Sequence, residues 1–389
     1  MSAGRTLSDE AIRDLGREAV YGDVYASARH EKPVAVIFGG QPGAGKSVAA
    51  DDMADALVSQ GGSVRIDADA MRSLLPYAES AQRGDEGFAQ ATQVDAGRMA
   101  QAAREFAISQ RRNIIDEGTL RDPDSAMRLA TKFREQGYRV ELHVMAVNEQ
   151  VSFVRAVSRY ELAVETGTAP RWVDKAWHDE AVRGVAQSVK GVEEAGLADR
   201  IVVYDRFGEA TRDTGRDRVG AADELRRVAA QLTGYERVKV AGGWDAIGEA
   251  MARRDAPAAE VDRIALARDR AHYSLRASKQ ASDAYDYENP SETHTSKESA
   301  ARYARLLTDA FRGNKLDRAA QLPELVTAFA ARAAAIKYAE ANPSVPRLPF
   351  VEQVSRKIEA ALVAGKVTDA MKVRAIDAPV ADKAVSVGR

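Results

Sequence analysis

A glycine-rich stretch near residue 40 combines a backbone that can wrap a phosphate with a lysine and a hydroxyl. Its residues match the pattern G-x-x-x-x-G-K-[ST] without a mismatch and are Gly40, Gln41, Pro42, Gly43, Ala44, Gly45, Lys46 and Ser47. Glycines let backbone N–H groups converge on phosphate oxygens. Lys46 can reach the β- and γ-phosphates of a nucleotide, and the Ser47 hydroxyl is a ligand for Mg²⁺. The stretch predicts a nucleotide phosphate loop; the alternative is a purely structural glycine-rich turn.

Two carboxylates follow the loop at the end of the next apolar run, in Ile66-Asp67-Ala68-Asp69. Ligands of open α/β sheets bind outside the carboxyl ends of the strands, so both side chains are expected at the nucleotide crevice. One carboxylate can serve the metal shell while the other takes a proton from an acceptor hydroxyl. The alternative is an N-cap for a helix over 70–75, and capping and catalysis can be shared between Asp67 and Asp69.

The elements that must position these groups alternate between strands and helices. Predicted strands cover 33–38, 63–66, 113–116, 139–147 and 200–204, and predicted helices cover 46–59, 87–110, 149–166 and 173–196. The long helix is expected to break near Gly97, and Asp122-Pro123 predicts another helix start. The alternation predicts an α/β domain of the P-loop type, with a mainly parallel sheet flanked by helices.

The last part of the chain has a different pattern. It is rich in alanine and helical in periodicity, with helices expected at about 324–340 and 350–364. Two glycines, Gly242 and Gly243, suggest a boundary, so we predict a P-loop α/β domain over 1–240 and a smaller all-α domain over 241–389. Their net charges are −5 and +3. We expect a chain ending near residue 240 to stay folded and active.

Composition excludes several classes of function. The 389 residues include no cysteine, which rules out disulfides, thiolate zinc sites and thiol catalysis and fits a cytoplasmic location. No run of about 18 apolar residues exists, so no membrane span is expected. A net charge of −2 does not favour general nucleic-acid binding. Basic pairs such as Arg253-Arg254 are interpreted as solvated helix faces, and His178 as a packing or helix-surface residue.

Further motifs complete an ordered set with the phosphate loop and the paired aspartates. They are Asp116-Glu117-Gly118-Thr119, Gly137-Tyr138, Arg159-Tyr160-Glu161, Arg171 and His178-Asp179. Over about residues 30–210 this set resembles the zeta toxin family. The resemblance implies a kinase fold that uses ATP and Mg²⁺. It also implies transfer of the γ-phosphate to the 3′-hydroxyl of UDP-N-acetylglucosamine.

The resemblance also implies roles on the phosphate side of the site. Asp69 matches the catalytic base, Lys46 the loop cation, and Asp67 a position near the Mg²⁺ shell. Arg159 and Arg171 match two arginines that contact the transferring phosphate. From the residues alone, either arginine could instead pair with a glutamate, Glu161 or Glu165, on the protein surface.

On the acceptor side, Glu117 and Thr119 match the motif that holds the sugar nucleotide, and Arg121 is a weaker candidate contact. Glu117 could alternatively satisfy neighbouring backbone N–H groups. Gln101 stands where the family has an acidic residue; its amide can bind hydroxyls but carries no charge. This difference bears on the identity of the acceptor more than on phosphoryl transfer.

Three functions remain open at this point. The first is a sugar-nucleotide kinase of the zeta toxin type. The second keeps the fold but phosphorylates another small molecule, such as a nucleotide or NAD. The third is a toxin or effector head whose C-terminal part binds an antitoxin, the secretion machinery or the kinase domain itself.

Overall fold

The computed structural model describes residues 7–79, 87–167, 170–214, 220–278, 293–314 and 323–364. The chain divides into two compact units, Met1–Ala256 and Pro257–Arg389. Among the described residues, no helix has both the length and the apolar character needed to cross a membrane.

A six-stranded sheet forms the centre of the first unit, as far as the described residues show. In chain order its strands are β1 (Val34–Gly39), β2 (Val64–Asp67), β3 (Ile114–Glu117), β4 (Arg139–Met145), β5 (Arg200–Tyr204) and β6 (Ala210–Asp213). Their spatial order is β2-β3-β1-β4-β5-β6, and only the β5–β6 pair is antiparallel. The mainly parallel sheet is therefore confirmed. Sequence analysis missed β6 because its exposed residues form no apolar run.

Helices cover both faces of this sheet. In chain order they are α1 (Asp9–Ala26), α2 (Lys46–Val58), α3 (Ala68–Met71), α4 (Gly87–Ser109), α5 (Pro123–Glu135), α6 (Glu149–Thr166), α7 (Lys175–Glu194), α8 (Ala221–Ala229) and α9 (Gly234–Arg253). Strand residues alternate between the faces. Ile37 and Ile114 belong to the core that includes α1, α4, α5 and α7, whereas Val36 and Ile115 join the smaller core against α2.

Local sequence explains where these helices begin and continue. Asp122 caps α5 by accepting a hydrogen bond from the Asp124 amide, with Pro123 as the first helical residue. Helix α4 continues through Gly97, where a break was expected. Gly97 is exposed, while Ala96 and Met99 beside it are fully buried. Packing of that buried stripe outweighs the low helix propensity of a single glycine.

The predicted boundary near residue 240 falls inside the continuous helix α9. Helix α9 continues through Gly243, where a Cβ atom would lie only 2.9 Å from a methyl group of Val154 on α6. The adjacent Trp244 is 1% exposed. The glycine serves close helix packing, and the division between the compact units falls at Ala256 and Pro257 instead.

Helices make up most of the described part of the second unit, as the sequence predicted. Its helices are α10 (Ala258–Ala277), α11 (Thr293–Arg312), α12 (Pro323–Ala341) and α13 (Arg347–Val363). Side chains from each of these helices form one apolar core, which includes Tyr273, Tyr303, Phe311, Leu325 and Leu362.

Candidate active site

The phosphate loop joins β1 to α2 in a conformation that requires glycine. Gly43 and Gly45 have φ values of 79° and 94°, in the left-handed region that other residues rarely adopt. A Cβ atom on Gly43 would also lie 2.0 Å from the carbonyl oxygen of Ser152 on α6. The loop is therefore packed tightly against the first turn of α6, and helix α2 begins at Lys46 with its N-terminus at the loop.

A buried chain of polar side chains anchors the loop from behind. The Gln41 amide nitrogen donates to the Val147 carbonyl at 2.7 Å and to the Ser152 hydroxyl at 3.1 Å. The same hydroxyl lies 3.0 Å from Nε2 of His178, which is fully buried on α7. His178 is thus a packing residue, as the sequence suggested, with a hydrogen bond toward the loop that no sequence signal indicated.

Lys46 lies over the loop with its charge only partly stabilised. Its Nζ donates to the carbonyl oxygens of Gly40 at 2.7 Å and Gln41 at 3.2 Å. Burial lowers the pKa of Lys46 to about 8, although the Asp69 and Glu117 carboxylates oppose this decrease. A buried lysine with a depressed pKa is well suited to bind an anionic phosphate, whose charge would restore the stability of the ammonium group.

The Glu117 carboxylate lies directly beside the loop. Glu117 ends β3, in register with Phe38 of β1 and Asp67 of β2. It accepts hydrogen bonds from the Ser47 hydroxyl at 3.1 Å and from Arg65 Nε at 2.6 Å. Sequence analysis missed Arg65, because a single basic residue on a short strand carries no motif. The resemblance predicts that Glu117 holds the sugar nucleotide, and the hydrogen bond from Ser47 places the same carboxylate at the phosphate loop as well.

The paired aspartates occupy different positions. Asp67 caps the short helix α3 by accepting a hydrogen bond from the Asp69 amide at 2.8 Å. Asp69 Oδ1 contacts Arg72 Nε at 3.0 Å and Arg171 Nη1 at 2.6 Å. Burial opposes ionisation of Asp69, but Arg171 and Arg72 outweigh it and lower its pKa. Asp69 is therefore a carboxylate at neutral pH.

A cleft of about 260 Å³ opens at these residues. It is lined by Asp67, Asp69, Ala70, Arg72, Ser73, Phe88, Arg159, Tyr160, Ala163 and Arg171. Arg159 extends from α6, and burial together with the like charge of Arg171 lowers its pKa, although an arginine remains cationic. Two predicted arginines and both predicted aspartates thus meet in one cleft.

The surface ion pairs considered for these arginines are absent from the described part of the chain. Glu161 pairs with Arg254, and Glu165 lies 3.8 Å from Arg253. Arg171 instead contacts Asp69.

Other predicted substrate contacts lie outside this cleft lining. Arg121 Nη1 donates to Glu180 at 3.1 Å, and its guanidinium lies 5.0 Å from the Trp177 ring centre. Both partners belong to α7. Gln101 is exposed on α4 and donates to Glu105. Thr119 is half-buried, two residues after the end of β3.

The oxygen groups near the loop fit a magnesium ion better than a transition metal. Ser47 and Glu117 supply a hydroxyl and a carboxylate, the hard donors that Mg²⁺ prefers, and Mg²⁺ needs only one or two carboxylates beside nucleotide phosphates. Among the described residues, no group of three or more histidine or acidic side chains is arranged to hold a metal. Glu117, not the predicted Asp67, makes the hydrogen bond to Ser47.

Comparisons with known proteins agree with this geometry. A family model described as Zeta toxin matches residues 18–213. Toxin PezT of Streptococcus pneumoniae serotype 4 is 30% identical over 200 residues, which cover 51% of this chain and 78% of that protein. Toxin zeta of Enterococcus hirae is 28% identical over 180 residues, covering 46% of this chain and 62% of the relative.

A solved structure from the PezAT chromosomal toxin-antitoxin system of Streptococcus pneumoniae aligns with a TM-score of 0.55 and 25% identity. The alignment covers 63% of this chain and 98% of that one. The chain therefore belongs to the zeta toxin family, a family of kinase-type toxins.

Proposed function

We propose that the chain is an ATP-dependent kinase that phosphorylates a hydroxyl of a sugar nucleotide, with UDP-N-acetylglucosamine as the acceptor. The observation that carries this proposal is the cleft in which Asp69 meets Arg159 and Arg171 beside a phosphate loop. A carboxylate and two cations next to a phosphate site are the groups that phosphoryl transfer to a hydroxyl requires.

On the donor side, backbone N–H groups of the loop and the α2 N-terminus bind the phosphates of ATP. Lys46 neutralises the β- and γ-phosphates, and Arg159 and Arg171 stabilise charge that accumulates on the equatorial oxygens of the transferring group. Ser47 and Glu117, with Asp67 nearby on the next strand, would hold Mg²⁺, which neutralises phosphate charge when bound.

On the acceptor side, Asp69 orients the attacking hydroxyl and accepts its proton. The depressed pKa of Asp69 makes it a weak base, which suits a loose transition state in which the proton leaves late. Arg171 contacts the same carboxylate oxygen, so an acceptor hydroxyl must share or replace that contact. Asp69, the proposed base, and Arg171, which would contact the transferring phosphate, are thereby linked through one ion pair.

The choice of acceptor rests on the strand-end motif and on the cleft. Glu117 and Thr119 keep the residue types of the family's sugar-nucleotide motif. The cleft of about 260 Å³ is near the lower limit of ligand pockets, so it suits the reacting sugar ring better than a whole sugar nucleotide. Gln101 lies on α4 with Glu105 as its partner and is not needed for this proposal.

A protein antitoxin is the proposed partner. The support is the toxin-antitoxin system named for the solved relative.

Expression of the wild-type chain should arrest growth, whereas expression of Lys46→Ala should not. Equal toxicity of both chains would show that any toxicity does not depend on phosphoryl transfer.

The acceptor is tested by incubating the chain with ATP and a panel of sugar nucleotides, nucleotides, NAD and simple sugars. We expect UDP-N-acetylglucosamine to gain one phosphate, detected by mass spectrometry. Clear preference for another acceptor would reject UDP-N-acetylglucosamine as the acceptor but would leave the proposed kinase activity standing. ATP consumption without any phosphorylated acceptor would reject both.

A further inference from the structure

Arg159 and Glu161, two positions apart on α6, lie on opposite sides of the helix. Arg159 lines the cleft, whereas the Glu161 carboxylate contacts Arg254, the residue that follows α9. Side chains two positions apart on a helix differ in direction by about 200°. One turn of α6 therefore carries a cleft arginine on one side and an anchoring glutamate on the other.

The contact between Glu161 and Arg254 has the geometry of a strong ion pair. Arg254 Nε and Nη2 donate to the two carboxylate oxygens of Glu161, each at 2.9 Å. The Glu161 side chain is 4% exposed and that of Arg254 is 24% exposed. Parallel, bidentate hydrogen bonds of this kind fix orientation as well as distance.

The neighbouring basic residue behaves differently. Arg253 lies 3.8 Å from Glu165, and these side chains are 59% and 61% exposed. Exposed pairs at such distances contribute little. The sequence pattern predicts that Arg253 and Arg254 are both solvated. Their different exposure follows from how the helices pack.

Helix α9 supports α6 along a continuous seam. The Trp244 ring lies 5.6 Å from that of Phe153, and Gly243 approaches Val154 closely. The ion pair of Glu161 with Arg254, the residue that follows α9, lies two turns farther along α6. Contacts with α9 and its C-cap residue thus extend from Phe153 and Val154 to the turn of α6 that carries Arg159.

Arg159 depends on this support because its own side chain has no anchoring ion pair. No carboxylate among the described residues lies within salt-bridge distance of Arg159; Arg171 repels it, and the more distant Asp69 and Asp67 attract it. By contrast, Arg171 is held by Asp69. The position of α6 therefore sets the point from which the Arg159 side chain enters the cleft.

We propose that Arg254 is a positioning residue that acts through Glu161 to hold the α6 turn from which Arg159 reaches the transferring phosphate. This inference rests on the proposed kinase function. Residue 254 and all of α9 lie beyond the residues 18–213 that match the family. The functional kinase unit accordingly extends to about residue 256.

The kinetic test compares Arg254→Ala with Arg253→Ala as the matched control, both in the full chain. A displacement of about 1 Å at a catalytic group can cost about 10²-fold in rate. We expect kcat of Arg254→Ala to fall about 10–100-fold with the KM for ATP nearly unchanged. Arg254→Lys should recover part of kcat, and Arg253→Ala should match the wild type.

Two further measurements test whether Arg254 acts through Glu161 and α6. In Glu161→Gln, adding Arg254→Ala should reduce kcat little more, because the two residues act as one unit. Hydrogen exchange of the amides in residues 157–166 should be faster in Arg254→Ala than in Arg253→Ala, because local opening of α6 becomes easier.

These measurements distinguish failure of the positioning role of Arg254 from failure of the proposed kinase activity. Equal kcat and equal exchange in Arg254→Ala and Arg253→Ala would overturn the positioning role while leaving the kinase intact. A lower Tm with kcat and KM changed in parallel, and no recovery in Arg254→Lys, would also overturn it. If the wild-type chain transfers no phosphate, the proposed function fails, and exchange within α6 alone decides whether Arg254 holds this turn.

Discussion

Each unit of the chain holds a carboxylate between cations or hydroxyls, but the two arrangements differ in access to solvent. In the second unit, Glu324 accepts hydrogen bonds from Arg270 at 2.9 Å and Tyr303 at 3.1 Å, and its side chain is 9% exposed. In the first unit, Asp69 pairs with Arg171 and is 46% exposed at the cleft. Pairing alone therefore does not identify a site, and we base the assignment on the phosphate loop and the two arginines beside Asp69.

The physical reason is the cost of leaving charge without a partner. A group buried like Glu324 must be satisfied within the fold, and its hydrogen bonds specify how the helices pack. Asp69, whose side chain is 46% exposed at the cleft, can exchange a protein partner for a ligand. The predictions below test whether chemistry is confined to the accessible cluster of the first unit.

The arginines of the cleft should contribute strongly to kcat. Arg171→Ala and Arg159→Ala should each reduce kcat by about 10³–10⁵, the range found for arginines that stabilise the transferring phosphate. ATP affinity should change much less, because both side chains act mainly in the transition state. Arg356→Ala, at an exposed position of the second unit, is the control and should leave kcat unchanged. Equal effects at all three positions would remove the distinction between the units.

Asp69→Asn should reduce kcat by about 10²–10⁴, the usual contribution of a positioned general base. The variant keeps the size of the side chain and can still contact Arg171, so ATP binding and the melting temperature should be nearly preserved. The check is single-turnover transfer together with an ATP-binding isotherm. A larger loss in Asp67→Asn than in Asp69→Asn would reverse the roles assigned to the two aspartates.

Lys46 should make ATP capture sensitive to alkaline pH. Its pKa is lowered to about 8, so the ammonium form predominates below pH 8 and is lost above it. The kcat/KM for ATP should therefore fall by up to about tenfold per pH unit above pH 8. Lys46→Arg, whose cation does not titrate in this range, should lack this decline. A decline that persists in Lys46→Arg would assign it to another group.

Removing the second unit should change kcat little. A chain ending at Ala256 should remain folded and retain kcat within about twofold, since the cleft lies wholly in the first unit. A chain ending at 240 should lose activity and stability, because it lacks Trp244 and Arg254, which pack against α6. Circular dichroism and transfer assays on both chains test this. Equal behaviour of the two truncations would show that α9 has no part in the site.

Much of the site was predictable because its signals are local. The phosphate loop is a contiguous motif, and the carboxyl ends of parallel strands must meet at one edge, which brings Asp67 and Glu117 together. Asp69, Arg159 and Arg171 were placed by the ordered motifs of the family, and the structure groups them in one cleft.

The features that were missed depend on contacts between distant residues. Arg65 reaches Glu117 across 52 positions, and Arg254 reaches Glu161 across 93. Neither arginine has a motif around it. Gly243 illustrates the same limit, because a glycine that permits close helix packing and a glycine that ends a domain have the same local sequence.

Phosphoryl transfer can be followed with a label on the γ-phosphate of ATP. The full chain is incubated with Mg²⁺, UDP-N-acetylglucosamine and ATP labelled on its γ-phosphate, with Lys46→Ala and Asp69→Asn in parallel. We expect the label on the sugar nucleotide with the wild type, no detectable label with Lys46→Ala and a strongly reduced amount with Asp69→Asn. Transfer by Lys46→Ala at a rate within about tenfold of the wild type would contradict this expectation, because the loop would then contribute too little to be the donor site.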